Sequence, residues 1–146
     1  MAKWIQSEFK PKNPQKCRNT GIIHSRSSWE AHFMRFLDTT PSIIQWGSEV
    51  IRIPYFNPIK QCQCLYVPDF IIRYIDASGN QKIELIEIKP AKEAIQERTR
   101  NRYDKLTWAV NQAKWESAIK YCMNAGIKFR VVTELELFAQ PNKNRR

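Results

Sequence analysis

Two β-like segments joined by a short turn constrain the fold of this chain more than any other feature. The segments cover residues 65–75 and 82–89, and the turn between them reads DASGN at 76–80. Asp, Ser, Gly and Asn are the residues that tight turns favour, because they tolerate or stabilise turn backbone conformations. The pattern therefore predicts an antiparallel hairpin.

Three charged residues of this hairpin are predicted to converge. If the hairpin is symmetric about Ser78, Asp69 and Glu87 lie opposite each other, since each is nine residues from Ser78. Directly opposed residues have Cβ atoms about 4.5–5.5 Å apart. Lys89 points to the same face as Glu87, because strand side chains alternate between faces. The other residues of that face are mainly apolar: Leu65, Val67, Ile71, Ile83 and Leu85.

Opposed carboxylates on an apolar face indicate a cation site. They repel each other, and burying charge is costly unless an opposite charge compensates it. Mg²⁺ prefers oxygen ligands, so Asp69, Glu87 and the main-chain carbonyl of Ile88 are the expected ligands. Lys89 is expected to contact a phosphate oxygen or an activated water. The alternative is a ladder of mixed charges that serves the structure only.

Glu30 is a third candidate acid. It lies in a helix predicted to begin at Ser27 or Ser28 and to run to about Leu37. At 100° per residue, Glu30 falls in the same apolar arc as Phe33 and Leu37. With Ser27 as N-cap, it also completes a capping box. The two roles are compatible, and we expect Glu30 to take part in the active site.

The rest of the chain predicts a single mixed α/β domain over residues 1–146. We expect a strand at 43–56, a polar connection at 57–64, a helix at 103–124 ended by Gly126, a strand at 127–133 and a short helix at 134–138. This order is typical of one mixed central sheet flanked by helices. Residues 1–26 are expected to form a basic arm without regular structure, and 139–146 a loose basic tail.

The charge balance predicts a polyanionic partner. The chain has 24 Lys and Arg against 14 Asp and Glu, a formal net charge of +10. Nucleic acid is the commonest partner of such a domain. No element resembles a helix that reads the major groove, so we expect DNA binding with little sequence preference. The expected phosphate contacts are Arg26, Arg98, Arg100, Arg102 and Lys114. The alternatives are a solvated charge run for the arginines and a surface position for Lys114.

The cysteines and the apolar segments further restrict the class of protein and its cellular location. Cys62 and Cys64 are one residue apart, and Cys17 and Cys122 stand alone, which is not a zinc-ligand spacing. We expect free thiols and no disulfides, with the Cys62/Cys64 pair in a loop. No stretch reaches the roughly 18 apolar residues of a membrane span. The N-terminal residues lack the apolar core of a secretory signal, so we expect a cytoplasmic or virion-associated protein.

Together these residues resemble a known superfamily. The order Glu30, Pro68-Asp69 and Glu87-Ile88-Lys89 is similar to the PD-(D/E)xK nucleases, whose fold is restriction-endonuclease-like. Further segments resemble the head completion nucleases of contractile-tailed bacteriophages: KPKNPQK at 10–16, RSSWE at 26–30, YVPDF at 66–70, EIKP at 87–90, NQAKW at 111–115 and TELEL at 133–137. Transposon-end nuclease subunits are similar in the acidic core and around Lys114.

The resemblance implies a hydrolytic role. It implies a DNA nuclease dependent on Mg²⁺, or on Mn²⁺, with Asp69 and Glu87 as metal ligands, Glu30 at a second metal or a water, and Lys89 as the catalytic lysine. It also implies action on packaged DNA and a role in head–tail joining, with phage head or neck proteins as partners, in the host cytoplasm. Two alternatives stay open: a transposon-end endonuclease subunit, and a non-enzymatic basic capsid or neck component.

Overall fold

A four-stranded mixed sheet forms the centre of the computed structural model, which describes residues 6–94 and 101–138. The elements are β1 (Ser7–Phe9), a 3₁₀ turn (Pro14–Lys16), β2 (Ile23–Ser25), α1 (Ser28–Thr39), β3 (Ile43–Ser48), β4 (Ile53–Asn57), β5 (Cys62–Tyr66), β6 (Phe70–Ile75), β7 (Gln81–Ile88), α2 (Ala91–Ala94), α3 (Arg102–Ala125), β8 (Lys128–Val132) and α4 (Glu134–Leu137). The sheet order is β3-β6-β7-β8, and only the β7–β8 pair is parallel. The predicted mixed sheet flanked by helices is therefore confirmed.

The predicted hairpin register is confirmed. Phe70 pairs with Ile86 and Ile75 with Gln81, so every pair of the β6–β7 ladder is symmetric about Ser78. The turn is held by Asp76, whose Oδ1 accepts hydrogen bonds from the amides of Ser78 and Asn80, both at 2.9 Å. This turn fixes which residues of β7 lie beside the start of β6.

The two faces of the sheet are covered by different elements. Side chains of α1, such as Phe33 and Leu37, pack against Ile86 of β7 in one core. On the other face, Trp115 of α3 packs with Leu85, together with the β4–β5 hairpin. Alternation along β7 therefore sends neighbouring residues into separate cores.

Helix α3 begins and ends where its caps predict. The side chain of Asn101 accepts the amide of Asp104 at 2.8 Å, and Gly126 adopts the left-handed φ of 72° that a C-terminal cap requires. The predicted helix, the final strand and the short terminal helix are each confirmed within one or two residues.

Two of the predicted strands are each divided in two. The predicted strand 65–75 is broken at Pro68, which is fully buried and cannot donate to a ladder. The predicted strand 43–56 is broken near Glu49, whose φ of 55° turns the chain out of the main sheet. The chain therefore leaves the sheet to form the β4–β5 hairpin and returns at Phe70.

The predicted polar connection 57–64 was wrong in its second half. Asn57 Oδ1 accepts the amides of Ile59 and Lys60 at 2.9 and 3.0 Å and closes a tight turn, after which β5 begins at Cys62. Polar residues are compatible with this strand because one of its faces is exposed. Cys62 and Cys64 therefore lie on a strand and not in a loop, with their Sγ atoms 3.9 Å apart. All four cysteines are free thiols in the structure.

The N-terminal segment is more ordered than its composition predicts. The expectation of no regular structure was wrong, since β1 pairs with β2 and both Ile23 and Ser25 are buried. Asp38, at the end of α1, accepts the amides of Lys12 and Asn13 at 2.8 and 3.0 Å. Such contacts come from far along the chain and have no local signal. Residues 1–5 and the predicted tail at 139–146 lie outside the described residues.

The C-terminal elements hold the end of β7. The amide of Lys89 donates to the carbonyl of Val132 at 3.0 Å, which extends the parallel β7–β8 pairing by one bond. The amide of Ala91 donates to Glu134 Oε1 at 2.8 Å. Among the described helices, none is both long and apolar enough to cross a membrane.

Candidate active site

Asp69 and Glu87 meet where β6 begins and β7 ends, although not as a ladder pair. The ladder stops at Phe70 and Ile86, so the expected direct pairing of Asp69 with Glu87 does not occur. Asp69 instead accepts the main-chain amide of Ile88 on Oδ2 at 2.8 Å. The break at Pro68 frees Asp69 from the ladder and lets its carboxylate reach across to β7.

Glu87 is held from two sides. Its Oε1 accepts the hydroxyl of Tyr66 at 2.8 Å, and its Oε2 lies 3.7 Å from the ammonium Nζ of Lys89. Lys89 and Glu87 therefore do share a face, as alternation along the strand predicts. The side chain of Lys89 is one quarter exposed, so its ammonium can reach a ligand from solvent.

The two carboxylates are electrostatically unfavourable in the unliganded protein. Burial raises the pKa of Asp69 well above its usual range, and the charges of Glu87 and Glu30 raise it further. Burial also raises the pKa of Glu87, opposed by the Lys89 ammonium and the Tyr66 hydroxyl. When nearby positive charges and hydrogen-bond donors do not offset the burial and mutual repulsion of two acids, the acids favour the binding of a cation or a proton.

Lys114 of α3 is a second positively charged residue near the carboxylates, in addition to Lys89. Its Nζ lies 5.9 Å from the ring centre of Tyr55 and 5.7 Å from that of Tyr66. Burial lowers the pKa of Lys114, and the nearby Lys89 lowers it further, while Glu87 and Asp69 oppose the shift. This position favours a role of Lys114 at the site, and its contact with DNA stays a prediction.

Glu30 joins the cluster from α1, but not through the predicted capping box. Ser27 Oγ does accept the amide of Glu30 at 3.2 Å, as an N-cap should. The reciprocal bond goes to the amide of Arg26 at 3.1 Å and not to that of Ser27. Burial raises the pKa of Glu30, and the charges of Glu49 and Glu87 raise it further.

Two residues that contact the predicted site residues were not found from the sequence. Glu49 binds the guanidinium of Arg26 through two contacts of 2.8 and 3.1 Å, and its amide donates to the carbonyl of Asp69. Arg26, a predicted DNA contact, is therefore engaged by an acid. Tyr66 is the other missed position. Its place in YVPDF, three residues before Asp69, was the available signal, whereas nothing local marks Glu49.

The predicted basic run is described only in part. Arg102 is the exposed first residue of α3. Arg98 and Arg100 lie outside the described residues. The proposed contact of this run with DNA therefore rests on the sequence and on the position of Arg102.

The residues present fit a hard divalent cation held by two carboxylates. Over residues 6–94 and 101–138, no group of three or more His, Cys, Asp and Glu side chains is arranged to hold a metal ion. Mg²⁺ commonly uses one or two carboxylates and keeps several waters, so Asp69 and Glu87 are a sufficient side-chain set. Glu30 interacts electrostatically with both acids, and its role at a second metal or a water stays a prediction. The Ile88 carbonyl remains a predicted ligand.

Two comparisons with known proteins bear on this site. The family model described as "TnsA-like endonuclease N terminal" matches residues 40–134. The Head completion nuclease of Enterobacteria phage T4 is 38% identical over 145 residues, covering 90% of this chain and 89% of that protein. The family match includes Asp69, Glu87, Lys89 and Lys114 and does not reach Glu30.

Proposed function

Because this chain belongs to the TnsA-like endonuclease family, we propose that it is a divalent-metal-dependent nuclease that hydrolyses phosphodiester bonds of DNA. The family's restriction-endonuclease-like domain is the mixed sheet with helices on both faces. One observation carries the proposal: the carboxylate of Asp69 is fixed to the Ile88 amide beside Glu87 and Lys89. Two acids and a lysine are thus presented at one strand end.

In the proposed mechanism, Asp69 and Glu87 hold the cation. When bound, such an ion lowers the pKa of a coordinated water and stabilises negative charge on the phosphate. The Ile88 amide and the Tyr66 hydroxyl keep the two carboxylates in place before DNA arrives. Fixed partners of this kind reduce the reorganisation that a ligand must otherwise drive.

The lysines act on the substrate side of the site. Lys89 lies 3.7 Å from Glu87 and is positioned to donate to the scissile phosphate or to the attacking water. Lys114, on the opposite helix, adds positive charge beside the same carboxylates. Positive groups placed where negative charge develops stabilise the transition state. Arg98, Arg100, Arg102 and Arg26 are proposed to contact the phosphate backbone.

The biological setting is proposed from the relative's name and from the segment resemblance. A head completion nuclease that is 38% identical over nearly the whole of both chains favours action on packaged DNA before head–tail joining. Head or neck proteins would then be its partners, in the host cytoplasm and in the virion. The family model favours a transposon-end endonuclease as the second candidate, although it covers a smaller part of the chain.

Nicking of supercoiled plasmid tests the proposal. Wild-type protein is expected to nick with Mg²⁺ or Mn²⁺ and not with EDTA, and Asp69→Asn, Glu87→Gln and Lys89→Ala are expected to lose about 10²-fold or more in rate. Glu84→Gln is the matched control, because Glu84 is an equally buried acid of β7 that binds Arg130 outside the site. Full activity in a folded Asp69→Asn variant, or equal losses in Glu84→Gln, would refute the assignment.

A further inference from the structure

A groove of about 430 Å³ opens beside Lys89, between the turn after β4 and the first half of α3. Lys89 and Lys114 line it, so the groove and the candidate active site share a wall. Its volume is within the range of ligand-binding clefts, roughly 300–1,000 Å³. We call it the nucleotide groove, for the reasons that follow.

One buried donor in the groove wall has no partner. Asn111 of α3 is 2% exposed, and its Nδ2 makes no hydrogen bond within the described part of the chain. Buried amide donors are nearly always paired, and an unpaired one is unfavourable. Asn111 lines the groove, so a rotation of its side chain towards the groove would let an acceptor oxygen of a ligand satisfy this donor.

The other walls suit a base and a phosphate. Tyr103 is 75% exposed, and Leu106 and Ile59 are also exposed, although all three are large apolar residues at the groove. Aromatic and apolar side chains stack on nucleobases without regard to their identity. The charged lining residues are Lys60, Lys89, Lys114 and Glu93, which leaves an excess of positive charge.

We propose that the nucleotide groove receives one unpaired deoxynucleotide of the DNA strand at the active site, with its base against Tyr103 and Leu106 and an acceptor oxygen on Asn111 Nδ2. This inference rests on the proposed nuclease function and adds a substrate preference to it. A paired base in duplex DNA is stacked on its neighbours and is not available to a groove. The protein therefore binds a frayed DNA end more tightly than a blunt one.

Two labelled DNA hairpins test the preference in EDTA by fluorescence anisotropy. One ends bluntly, and the other has the same length but mismatched terminal pairs, so both carry the same number of phosphates. Wild-type protein is expected to bind the frayed hairpin about tenfold more tightly, because stacking one base on an aromatic side chain typically contributes a binding free energy of this size. Tyr103→Ala and Asn111→Leu should each remove most of this difference while leaving the blunt affinity nearly unchanged.

Tyr121→Ala is the matched control, since Tyr121 is a partly exposed tyrosine of the same helix outside the groove. It should keep the full preference. Equal affinities of wild-type protein for the two hairpins would overturn the inference, as would a preference that survives in Tyr103→Ala. Tyr103 is exposed, so its variant is expected to fold, which circular dichroism checks.

Plasmid nicking with Mg²⁺ separates this inference from the proposed function. Nicking without a preference for the frayed hairpin overturns the nucleotide groove and leaves the nuclease assignment in place. A frayed-end preference without nicking refutes the nuclease assignment, and the groove is then a DNA-end site of a non-enzymatic protein. A groove that instead receives a protein segment predicts equal hairpin affinities, which is the overturning result.

Discussion

The main-chain amide of Ile88 donates a 2.8 Å hydrogen bond to Oδ2 of Asp69, a residue that stands just outside the β6–β7 ladder. This bond replaces the pairing that symmetry about Ser78 would otherwise extend. It holds the Asp69 carboxylate against the neighbouring acid Glu87, and the charge of Lys89 compensates the two acids only in part. The protein therefore keeps a destabilising arrangement at its candidate active site, as functional sites often do.

Neutralising Asp69 is expected to stabilise the metal-free protein. Asp69→Asn keeps an oxygen acceptor for the Ile88 amide and removes the charge that burial and Glu87 make costly. We expect the Tm in EDTA at neutral pH to rise by about 3 °C, which corresponds to roughly 1 kcal/mol for a chain of this size. Differential scanning calorimetry measures it. A lower Tm in the variant would show that the Asp69 charge is already compensated.

Addition of Mg²⁺ is expected to reverse that order. A ligand that binds only the folded state stabilises it in proportion to the logarithm of its concentration over Kd. The Tm of wild-type protein should therefore rise with Mg²⁺, while Asp69→Asn and Glu87→Gln should respond weakly. Glu84→Gln replaces a buried acid of β7 that lies outside the site, so this variant should respond like wild-type protein. A metal response that persists in both site variants would place the cation elsewhere.

The stability difference between wild-type protein and Asp69→Asn is expected to depend on pH. Burial raises the pKa of Asp69, Glu87 and Glu30 above the unfolded values. At pH values between the unfolded and the folded pKa, the folded state therefore binds more protons than the unfolded state. Stability from these groups is complete below the unfolded pKa and is lost as pH rises through the folded pKa. The advantage of Asp69→Asn in EDTA should thus shrink as pH falls from 7.5 towards 4.5. A constant difference across this range of urea titrations would contradict the raised pKa values.

Tyr66 is expected to act as a positioning residue. Tyr66→Phe removes the hydroxyl that holds Glu87 Oε1 and keeps the ring beneath Lys114. Loss of such an outer partner commonly costs 10–100-fold, so kcat should fall by about that factor with little change in KM for DNA. Tyr55→Phe is the control, because the Tyr55 ring also contacts Lys114 while its hydroxyl accepts only from Asn57 in the described structure. Equal effects of the two substitutions would assign the loss to packing.

Asp38 is expected to anchor the N-terminal segment. Asp38→Ala leaves the amides of Lys12 and Asn13 without their charged acceptor, which should cost about 2–3 kcal/mol of unfolding free energy. Asp76→Ala removes a similar pair of amide bonds from an exposed turn and should cost less than about 1 kcal/mol. Urea unfolding compares the two variants. Hydrogen exchange should show faster exchange at Lys12 and Asn13 only in Asp38→Ala, and unchanged exchange there would contradict the anchor.

Local chemistry in the sequence was sufficient for the elements that depend on it. The DASGN turn predicted the register of β6 and β7, Ser27 predicted the start of α1, and Gly126 predicted the end of α3, because each acts on its own neighbours. Placement of Glu87 and Lys89 on one face followed from alternation along a strand.

The remaining features depend on contacts between distant segments. Glutamate does not favour the left-handed conformation that Glu49 adopts, so its residue type gave no indication of it. The contact of Glu49 with Arg26 spans 23 residues of the sequence. The β4–β5 hairpin brings the hydroxyl of Tyr66 to Glu87. The strand pattern alone could not place Tyr66, because it predicted one continuous strand through Pro68. The segment between the two N-terminal strands likewise depends on Asp38, which lies 25 residues from Asn13.

The parallel strand β8 also makes the end of β7 depend on residues that are translated after the acids of the site. The end of β7 is fixed by the bond from the Lys89 amide to Val132 and by the bond from Ala91 to Glu134. A nascent chain already contains Asp69, Glu87 and Lys89 long before these partners leave the ribosome. A product truncated before β8 keeps the partners of Asp69 and Glu87 within residues 66–89 but lacks the bonds that fix the main chain at Lys89 and Ala91.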